Sequence, residues 1–275
     1  MTAGSVGADR RISAVIFDWA GTTVDHGSRA PVFALVELFD RYGVVVTEEQ
    51  ARRPMGRFKL DHIRDIAADP DVAAGWHQAH GRNWTDEDAL ALYEGFGPLQ
   101  DAAVVANAAL IEGVVEVVAA CRERGYRVGS TTGYPRAAMD PLAEAAARQG
   151  YAPDAIVCSD EVPAGRPAPW MLFRNLELID AYPPSTVVKV GDTPIDMTEG
   201  INAGTWAVGI SRTGNLVGRT AAELEAMEPA AVAGLTSAAE GHLLAAGAHD
   251  VVTAVSELLP ALDRIEARLA AGERP

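Results

Sequence analysis

The sequence predicts an α/β fold: a Rossmann-like parallel sheet core with a helical domain inserted after the first strand. Three observations predict it. Short apolar runs recur along the chain, helical patterns separate them, and residues 31–107 carry helical periodicity without a convincing strand. Strand alternating with helix is typical of right-handed βαβ units, whose helices cover both faces of a parallel sheet.

The predicted strands are short and almost continuously apolar, as buried parallel strands are. They cover residues 12–17, 126–129, 154–158, 186–190 and 206–210. Helices are predicted between them at residues 114–124, 136–149, 169–179 and 195–203. The Ala- and Leu-rich stretch 238–271 is predicted to be mostly helical, with a last strand near residues 250–253. This stretch either closes one edge of the sheet or takes part in self-association.

The insert is expected to be a helical domain of its own. Its helical patterns begin at residues 31, 47, 57, 71 and 86, and the last one ends near residue 109. The predicted organisation is a flexible tail at residues 1–11, a core at residues 12–30 and 108–275, and the helical domain at residues 31–107.

Composition narrows the class of function. The chain has 38 acidic and 23 basic residues and a net charge of -15. That balance argues against a general nucleic-acid binder, whose affinity comes from clustered Lys and Arg. A small anionic substrate stays compatible with it, because the charges local to a site can oppose the global charge.

Cysteine usage and apolar segments indicate the cellular compartment of the protein. Its two cysteines, Cys121 and Cys158, form neither a disulfide framework nor a metal-type pair. Residues 1–11 lack the apolar core of a signal peptide, and no stretch approaches the roughly 20 apolar residues of a membrane span. We therefore expect a soluble cytoplasmic protein.

The first candidate for chemistry is Asp18, which ends the first predicted strand and is followed by a turn at Gly21. Open α/β sheets bind ligands at the carboxyl ends of their strands. A carboxylate there can attack phosphorus and form an aspartyl phosphate. The alternative is that Asp18 is a turn residue, which is common after a strand.

A pair of acids follows another predicted strand. Asp192 and Asp196 lie four residues apart and flank the start of a helix. Carboxylate oxygens suit Mg²⁺, which takes one or two protein carboxylates and keeps several waters. The alternative is that both acids cap the helix and stabilise its dipole.

Two further segments suit an anion. Residues 130–134, Ser-Thr-Thr-Gly-Tyr, lie at a strand end before a helix, where hydroxyls and free N–H groups bind phosphate oxygens. Such clusters are also ordinary turns. Arg166 lies in the Pro- and Gly-rich loop 163–167, which could direct its positive charge at the same phosphate oxygens. The alternative is that Arg166 is solvated or ion-paired, as most loop arginines are.

Each of the four features falls at the end of a strand or just before a helix, on what would be one edge of the predicted sheet, in the order acid, hydroxyl, cation, acid pair. In this respect residues 12–212 resemble the haloacid dehalogenase superfamily of phosphoryl-transfer enzymes, with the insert in the position of its cap domain. Most phosphatases of that superfamily carry a second Asp two residues after the nucleophile, which protonates the leaving alkoxide. Ala20 takes that position here, so a general acid typically contributing about 10²–10⁴ in rate is missing.

The insert supplies a chemistry that needs no such acid. Lys59 and His62 lie three residues apart, on one face of a predicted helix. A lysine amine can form a Schiff base with an aldehyde, and carbon then leaves phosphorus as an enamine. Such a lysine needs a pKa depressed by burial or by nearby cations, for which Arg53 and Arg57 are candidates. The alternative is a surface lysine on an amphipathic helix.

Four segments carry a closer resemblance within the superfamily. Residues 18–22, 53–56 with Lys59, 130–134 and 162–167 are similar to those of the phosphonoacetaldehyde hydrolase (phosphonatase) family, and the resemblance runs from Ile12 to about Leu269. It implies hydrolysis of phosphonoacetaldehyde to acetaldehyde and phosphate, in the degradation of organic phosphonates such as 2-aminoethylphosphonate. It also implies a homodimer built through the helical caps.

The resemblance further implies the roles of site residues. Asp18 would attack phosphorus, Lys59 would condense with the aldehyde, and His62 would shuttle a proton. The residues near the substrate and its phosphoryl oxygens would be Met55, Thr132, Gly133, Tyr134 and Arg166.

A metal set is implied in the same way. Mg²⁺ would be held by the Asp18 carboxylate, the Ala20 backbone carbonyl and Asp192. Asp196 and Thr22 would lie behind these ligands and orient waters or a neighbouring cation.

Two other interpretations stay open. An ordinary phosphatase or phosphomutase of the superfamily would turn over phosphate esters and would not depend on Lys59, but Ala20 counts against it. A non-catalytic binding module would keep the fold and the metal, and ligand would stabilise it without release of phosphate. The complete set of chemical groups argues against this second interpretation: Asp18, Lys59, Thr132, Arg166 and Asp192.

Overall fold

The computed structural model describes residues 11–275 and contains a six-stranded parallel sheet. Its strands are β1 Ala14–Phe17, β2 Arg127–Thr132, β3 Ala155–Cys158, β4 Val187–Gly191, β5 Trp206–Ile210 and β6 Asp250–Val252. The spatial order is β3-β2-β1-β4-β5-β6, and every adjacent pair is parallel. The five predicted strands are confirmed, and the strand expected near residue 250 closes one edge of the sheet.

Helices surround this sheet and also form the insert. The insert contains α1 Ala30–Arg41, α2 Glu48–Arg52, α3 Lys59–Ala67, α4 Pro70–His80 and α5 Asp86–Ala106. The helices that alternate with strands are α6 Val114–Glu123, α7 Arg136–Arg148, α8 Trp170–Leu178 and α9 Pro194–Ala203. The C-terminal helices are α10 Ala221–Ala226, α11 Pro229–Ala245 and α12 Leu258–Ala270. All predicted helices are present, with ends that differ by a few residues.

The sequence analysis placed the end of one strand wrongly and missed two helical segments. Strand β2 continues to Thr132, where the sequence suggested that it ended at Gly129, because Thr131 and Thr132 pair with Val157 and Cys158 of β3. Helix α10 and the first half of α11 were not predicted. Their Ala-rich sequence lacks a clear apolar period, and the structure begins α10 with a capping box at Thr220.

The insert and the sheet each have an apolar interior. The sheet packs its largest cluster of buried side chains against α6, α7 and α12, including Phe17, Trp19 and Trp206. The insert buries a separate cluster that includes Phe39 and Trp76. These separate interiors support the predicted division at residues 31 and 107, which stays a prediction. The predicted tail at residues 1–11 lies, apart from Arg11, outside the described residues.

None of the helices between residues 11 and 275 combines the length and apolarity needed to cross a lipid bilayer. The cytoplasmic location stays a prediction. Both cysteines are buried and free, as the sequence suggested.

The centre of the sheet leaves no room at Gly129, and this generates a stability prediction. A Cβ there would lie 2.0 Å from Asn175 Oδ1 and 2.8 Å from Ile16 Cδ1. We expect Gly129→Ala to lower the free energy of unfolding by about 1–3 kcal/mol or more, measured by urea denaturation. The control is Gly234→Ala in α11, where a Cβ meets nothing within 4 Å, which should stabilise by about 0.5–1 kcal/mol. Equal stability of Gly129→Ala and the native protein would contradict this packing.

Candidate active site

Three acids meet where the strand order of the sheet reverses. Asp18 directly follows β1 and Asp192 directly follows β4, and these strands are neighbours that lead away in opposite directions across the sheet. Crevices at such switch points are where open α/β sheets bind ligands. Asp196, in the first turn of α9, joins them, and the three residues place carboxylate oxygens within 4.8 Å of one another. All three side chains are buried.

The loop after β1 is packed tightly around Asp192. Gly21 has a φ of 84°, and a Cβ on it would lie 2.2 Å from Asp192 Oδ2. The Asn215 backbone N–H donates to the same oxygen at 2.6 Å, and the Thr22 hydroxyl donates to Oδ1 at 3.5 Å. Glycine at position 21 is therefore a steric requirement. Thr22 is buried and contacts Asp192, and its role beside a metal stays a prediction.

Two buried cations interleave with these acids. Arg166 places Nη2 2.7 Å from Asp18 Oδ1, Nη1 3.0 Å from Asp196 Oδ1, and Nε 3.0 Å from Glu199 Oε2. Lys189 places Nζ 3.1 Å from Asp196 and 3.4 Å from Glu199. Arg166 is therefore ion-paired, as one of the alternatives for it supposed, but its partners are the acids of the site.

The sequence analysis missed Lys189 and Glu199. The signal for Lys189 was a charged residue inside the apolar strand 187–191, where a cation is expected only if it is paired. The signal for Glu199 was its position one helical turn after Asp196 on α9.

The cluster holds more negative than positive charge. Asp18, Asp192, Asp196 and Glu199 supply four carboxylates, whereas Arg166 and Lys189 supply two cations, all of them buried. The cluster therefore has two excess negative charges when every group is ionised. A divalent cation would balance them, and carboxylate oxygens are the ligands that Mg²⁺ and similar hard cations prefer.

The pKa values of the acids reflect this excess. Burial, followed by repulsion from Asp18 and Asp196, raises the pKa of Asp192 well above its usual value. Burial also raises the pKa of Asp18, although Arg166 opposes the effect. Burial acts on Asp196 as well, but Arg166 and Lys189 outweigh it and lower the pKa of that carboxyl. A divalent cation between these groups would keep Asp18 and Asp192 ionised at neutral pH.

The end of β2 lies beside the acids and contributes hydroxyls. Ser130 accepts a hydrogen bond from the Trp19 indole at 2.9 Å, and Thr131 accepts from Arg166 and Lys189 at 2.9 Å each. Both side chains are therefore occupied within the protein. Thr132, with the following residues Gly133 and Tyr134, lines the open cavity. Alternation along β2 places Thr131 on the opposite face of the sheet from Ser130 and Thr132.

The insert closes the other side of this cavity with Lys59. The side chain of Lys59 is buried, and its Nζ lies 3.4 Å from His62 Nδ1 and 3.8 Å from Met55 Sδ. The amine also lies 5.8 Å from the centre of the Phe96 ring. Lys59 is thus not a surface lysine, which excludes the alternative that the sequence left open.

Burial lowers the pKa of Lys59 to about 7, although the negative charge of Asp18 opposes the effect. Desolvation rather than a neighbouring cation has this effect, so the suggestion that Arg53 and Arg57 depress the pKa is wrong. At neutral pH a substantial fraction of the amine is neutral, as a nucleophilic amine must be.

The tautomer of His62 follows from its partners. Its Nε2 lies 2.8 Å from the Ala51 carbonyl oxygen, which can only accept, so Nε2 carries the proton. Burial, with the charge of Lys59, lowers the pKa of His62 well below its usual value. The neutral ring therefore presents the lone pair of Nδ1 to the amine of Lys59. This geometry allows His62 to accept a proton from Lys59.

The chain contains two lysines, Lys59 and Lys189, and 21 of its 23 cations are arginines. Lys189 is enclosed by the carboxylates of Asp196 and Glu199 and the hydroxyl of Thr131. Of the two lysines, Lys59 is the one that lines the cavity.

The structure brings the sequence-predicted residues together. One cavity with an empty volume of about 380 Å³ is lined by nine of them: Asp18, Ala20, Met55, Lys59, Thr132, Gly133, Tyr134, Arg166 and Asp192. His62, Thr22 and Asp196 contact these residues from behind. The sequence analysis did not identify the other lining residues, which are Ser28, Pro31, Gly56, Arg57 and Thr193.

The profile of the haloacid dehalogenase-like hydrolases matches residues 12–204. The chain therefore belongs to the haloacid dehalogenase-like hydrolase family. The phosphonoacetaldehyde hydrolase of Paraburkholderia phytofirmans is 43% identical over 266 residues, which is 97% of this chain and 100% of that protein. That of Bacillus anthracis is 43% identical over 256 residues, covering 93% of this chain and 97% of that one.

Solved structures agree with this assignment. The crystal structure of a phosphonoacetaldehyde hydrolase-like protein from Oleispira antarctica has a TM-score of 0.96 at 37% identity, covering 100% of both chains. A putative β-phosphoglucomutase from Bacteroides vulgatus has a TM-score of 0.65 at 16% identity, covering 94% of this chain and 90% of that one. The second likeness concerns the fold alone.

The excess negative charge generates a prediction about the metal. Adding Mg²⁺ should raise the thermal midpoint of unfolding of the native protein. At a Mg²⁺ concentration one hundred times the dissociation constant, the free energy of unfolding should rise by about 2.7 kcal/mol. Asp192→Asn should abolish this stabilisation, because it removes one of the three clustered carboxylates that could bind the cation and one of the excess charges. The control Asp263→Asn, at an exposed ion pair with Arg124, should retain it. Equal stabilisation of Asp192→Asn and the native protein, measured by scanning calorimetry, would contradict the site.

Proposed function

We propose that this protein hydrolyses the carbon–phosphorus bond of phosphonoacetaldehyde, giving acetaldehyde and phosphate. The observation that supports the proposal most strongly is that a carboxylate of the sheet domain, Asp18, and an amine of the insert, Lys59, line the same cavity. Phosphonoacetaldehyde has a phosphonate for the first group and an aldehyde for the second. The names of the relatives reported above agree with this substrate.

Lys59 acts first, as a nucleophile on the aldehyde carbon. Its neutral amine adds to the carbonyl and, with uptake of one proton from solvent and loss of water, forms a protonated imine. His62 Nδ1, 3.4 Å from the amine, takes the proton that the attacking nitrogen loses and returns it to the departing hydroxyl. Because the buried amine has a pKa of about 7, the neutral form is available at physiological pH.

Asp18 then attacks phosphorus. The bond from phosphorus to carbon breaks, and its electron pair moves into the iminium to give an enamine on Lys59 and an aspartyl phosphate on Asp18. Arg166, 2.7 Å from Asp18, orients the carboxylate and stabilises negative charge on the phosphoryl oxygens. Thr132 and the backbone of Gly133, which line the cavity beside it, supply further donors to those oxygens.

Mg²⁺ is the metal that we propose for the acidic cluster. Its ligands would be the carboxylates of Asp18 and Asp192 and the backbone carbonyl of Ala20, with Asp196 and Thr22 supporting them. When bound, it neutralises charge on the phosphoryl group and so lowers the repulsion that an anionic nucleophile meets.

Ala20 is consistent with an enamine leaving group. An enamine carries its electron pair as a neutral conjugated system, so no acid near phosphorus has to protonate it as it leaves. Protonation at carbon and hydrolysis of the resulting imine then release acetaldehyde and restore Lys59. Water hydrolyses the aspartyl phosphate and restores Asp18. The homodimer stays a prediction of the family resemblance.

The function is tested by comparing two substrates. We expect phosphate release from phosphonoacetaldehyde with Mg²⁺ and little or none from an alkyl phosphate such as glycerol 2-phosphate, because Ala20 cannot protonate an alkoxide leaving group. Preferential turnover of the alkyl phosphate would favour an ordinary phosphatase. Ligand-dependent stabilisation without phosphate release from either compound would favour a binding module.

The imine is tested by replacing Lys59. Lys59→Arg and Lys59→Met should lower kcat for phosphonoacetaldehyde by about 10⁴-fold or more, because neither side chain condenses with an aldehyde. Borohydride added with substrate should label Lys59 in the native protein and leave Lys189 unlabelled, as read by peptide mass spectrometry. Circular dichroism checks that each variant is folded. A folded Lys59→Met protein that turns over at the native rate would exclude the imine.

The pKa of Lys59 predicts how the rate of imine formation depends on pH. Below pH 7 the amine becomes protonated and unreactive, so imine formation should fall as pH falls, with a midpoint at about 7. The measurement is the rate at which acetaldehyde and borohydride label Lys59 between pH 5 and pH 9, and acetaldehyde itself does not titrate in this range. A midpoint near the usual lysine value of about 10.4 would contradict the burial of this amine.

A further inference from the structure

The proposed reaction requires Asp18 from the sheet domain and Lys59 from the insert. Contacts between the two units must therefore fix their relative position. Helix α2 of the insert contacts two loops of the sheet domain through a set of hydrogen bonds. The proposed chemistry assigns no role to these hydrogen bonds. The central residues of this set are Arg52, the last residue of α2, and Asn215, in the loop after β5.

Arg52 leaves the insert and enters the sheet domain. Its Nη1 donates to the carbonyl oxygen of Gly27 at 2.7 Å, and its Nη2 donates to that of Gly218 at 3.2 Å. The side chain is 13% exposed, and a Cβ on Gly218 would lie 2.8 Å from Arg52 Cζ. A guanidinium in close contact with backbone carbonyls of two separate loops fixes the position of α2 against both loops.

Asn215 forms reciprocal hydrogen bonds with Arg52 and also bonds to one of the clustered acids. The Arg52 guanidinium donates to Asn215 Oδ1 at 3.3 Å, and Asn215 Nδ2 donates back to the Arg52 carbonyl oxygen at 3.3 Å. The backbone N–H of Asn215 donates to Asp192 Oδ2 at 2.6 Å. One buried residue therefore bonds both to the insert and to an acid of the sheet.

On the insert side, α2 supports the surroundings of the amine. The Arg52 carbonyl oxygen accepts from the backbone N–H of Met55 at 3.0 Å, and the Ala51 carbonyl oxygen accepts from His62 Nε2 at 2.8 Å. The side chains of Met55 and His62 both contact Lys59 Nζ, at 3.8 Å and 3.4 Å. A continuous path of contacts thus joins Asp192 to Lys59.

We propose that Arg52 and Asn215 are positioning residues, which together hold the insert closed on the sheet and set Lys59 opposite Asp18. The proposal rests on the proposed function, since that reaction is what needs both groups in one cavity. Neither residue lines the cavity itself, so each acts through the placement of others.

The chain offers a matched control in the next residue. Arg53 is 63% exposed and pairs with Asp69 and Glu49, both within the insert. Arg53→Ala therefore removes the same charge from the same region without breaking a bond to the sheet domain.

The first measurement needs no substrate. The variants Arg52→Ala and Asn215→Ala, the double variant and Arg53→Ala are treated with an amine-acylating reagent, and modification of the two lysines is followed by mass spectrometry. In Arg52→Ala and Asn215→Ala the acylation rate of Lys59 should rise about tenfold or more, because the closed arrangement loses hydrogen bonds of a charged group. The double variant should rise no further than the larger single effect, because the two residues act as one unit.

Acylation of Lys189 distinguishes release of the insert from global unfolding of the protein. It is buried within the sheet domain, so release of the insert leaves it protected, whereas global unfolding exposes both lysines. Arg53→Ala should leave both rates within about twofold of the native values. Unchanged acylation of Lys59 in Arg52→Ala, or parallel increases at Lys59 and Lys189, would overturn the proposal.

The second measurement is turnover of phosphonoacetaldehyde. We expect kcat to fall about 10- to 100-fold in Arg52→Ala, with Arg53→Ala unchanged, because misplacement of reacting groups is costly. A native protein that does not cleave phosphonoacetaldehyde would refute the proposed function and leave the acylation result standing. Cleavage by the native protein with equal kcat in Arg52→Ala and Arg53→Ala would refute the positioning role and leave the function standing.

Discussion

The structure of this site depends on the burial of like charges at the point where the sheet reverses its strand order. Strands β1 and β4 end side by side, so Asp18 and Asp192 converge, and Asp196 joins them from α9. Arg166 and Lys189 compensate part of the negative charge, and the remainder suits a divalent cation.

The insert creates the opposite electrostatic situation in the same cavity. Lys59 is surrounded by Met55, His62 and Phe96, and none of the carboxylates between residues 11 and 275 forms an ion pair with it. A nucleophilic amine and a nucleophilic carboxylate need different surroundings, one dry and apolar, the other rich in charge. Two units that meet at a cavity can supply both environments within one small volume, which a single loop could not.

The sequence predicted much of the fold and the site because both depend on local patterns. Apolar runs located the strands, the positions after two strands identified Asp18 and Asp192, and the Pro- and Gly-rich loop 163–167 identified Arg166. Prediction was poorer where a residue's role depends on distant partners. Lys189 and Glu199 are distant from Arg166 in sequence, and the pairing of β3 with Thr131 and Thr132 extended β2 beyond its apolar run. Arg53 and Arg57 were suggested as neighbours of Lys59 because they are close in sequence, yet burial lowers its pKa.

The sequence by itself determined the parallel α/β architecture, the helical insert and the chemical groups available: an acid, hydroxyls, a cation, an acid pair and an amine. Only the tertiary structure decided that Lys59 is buried and faces the same cavity as Asp18, that Nδ1 of His62 faces the amine, and that Arg52 joins the insert to the sheet domain. The physical reason is that residue type and periodicity are local properties of the chain. Desolvation and charge compensation depend instead on packing between segments far apart in sequence.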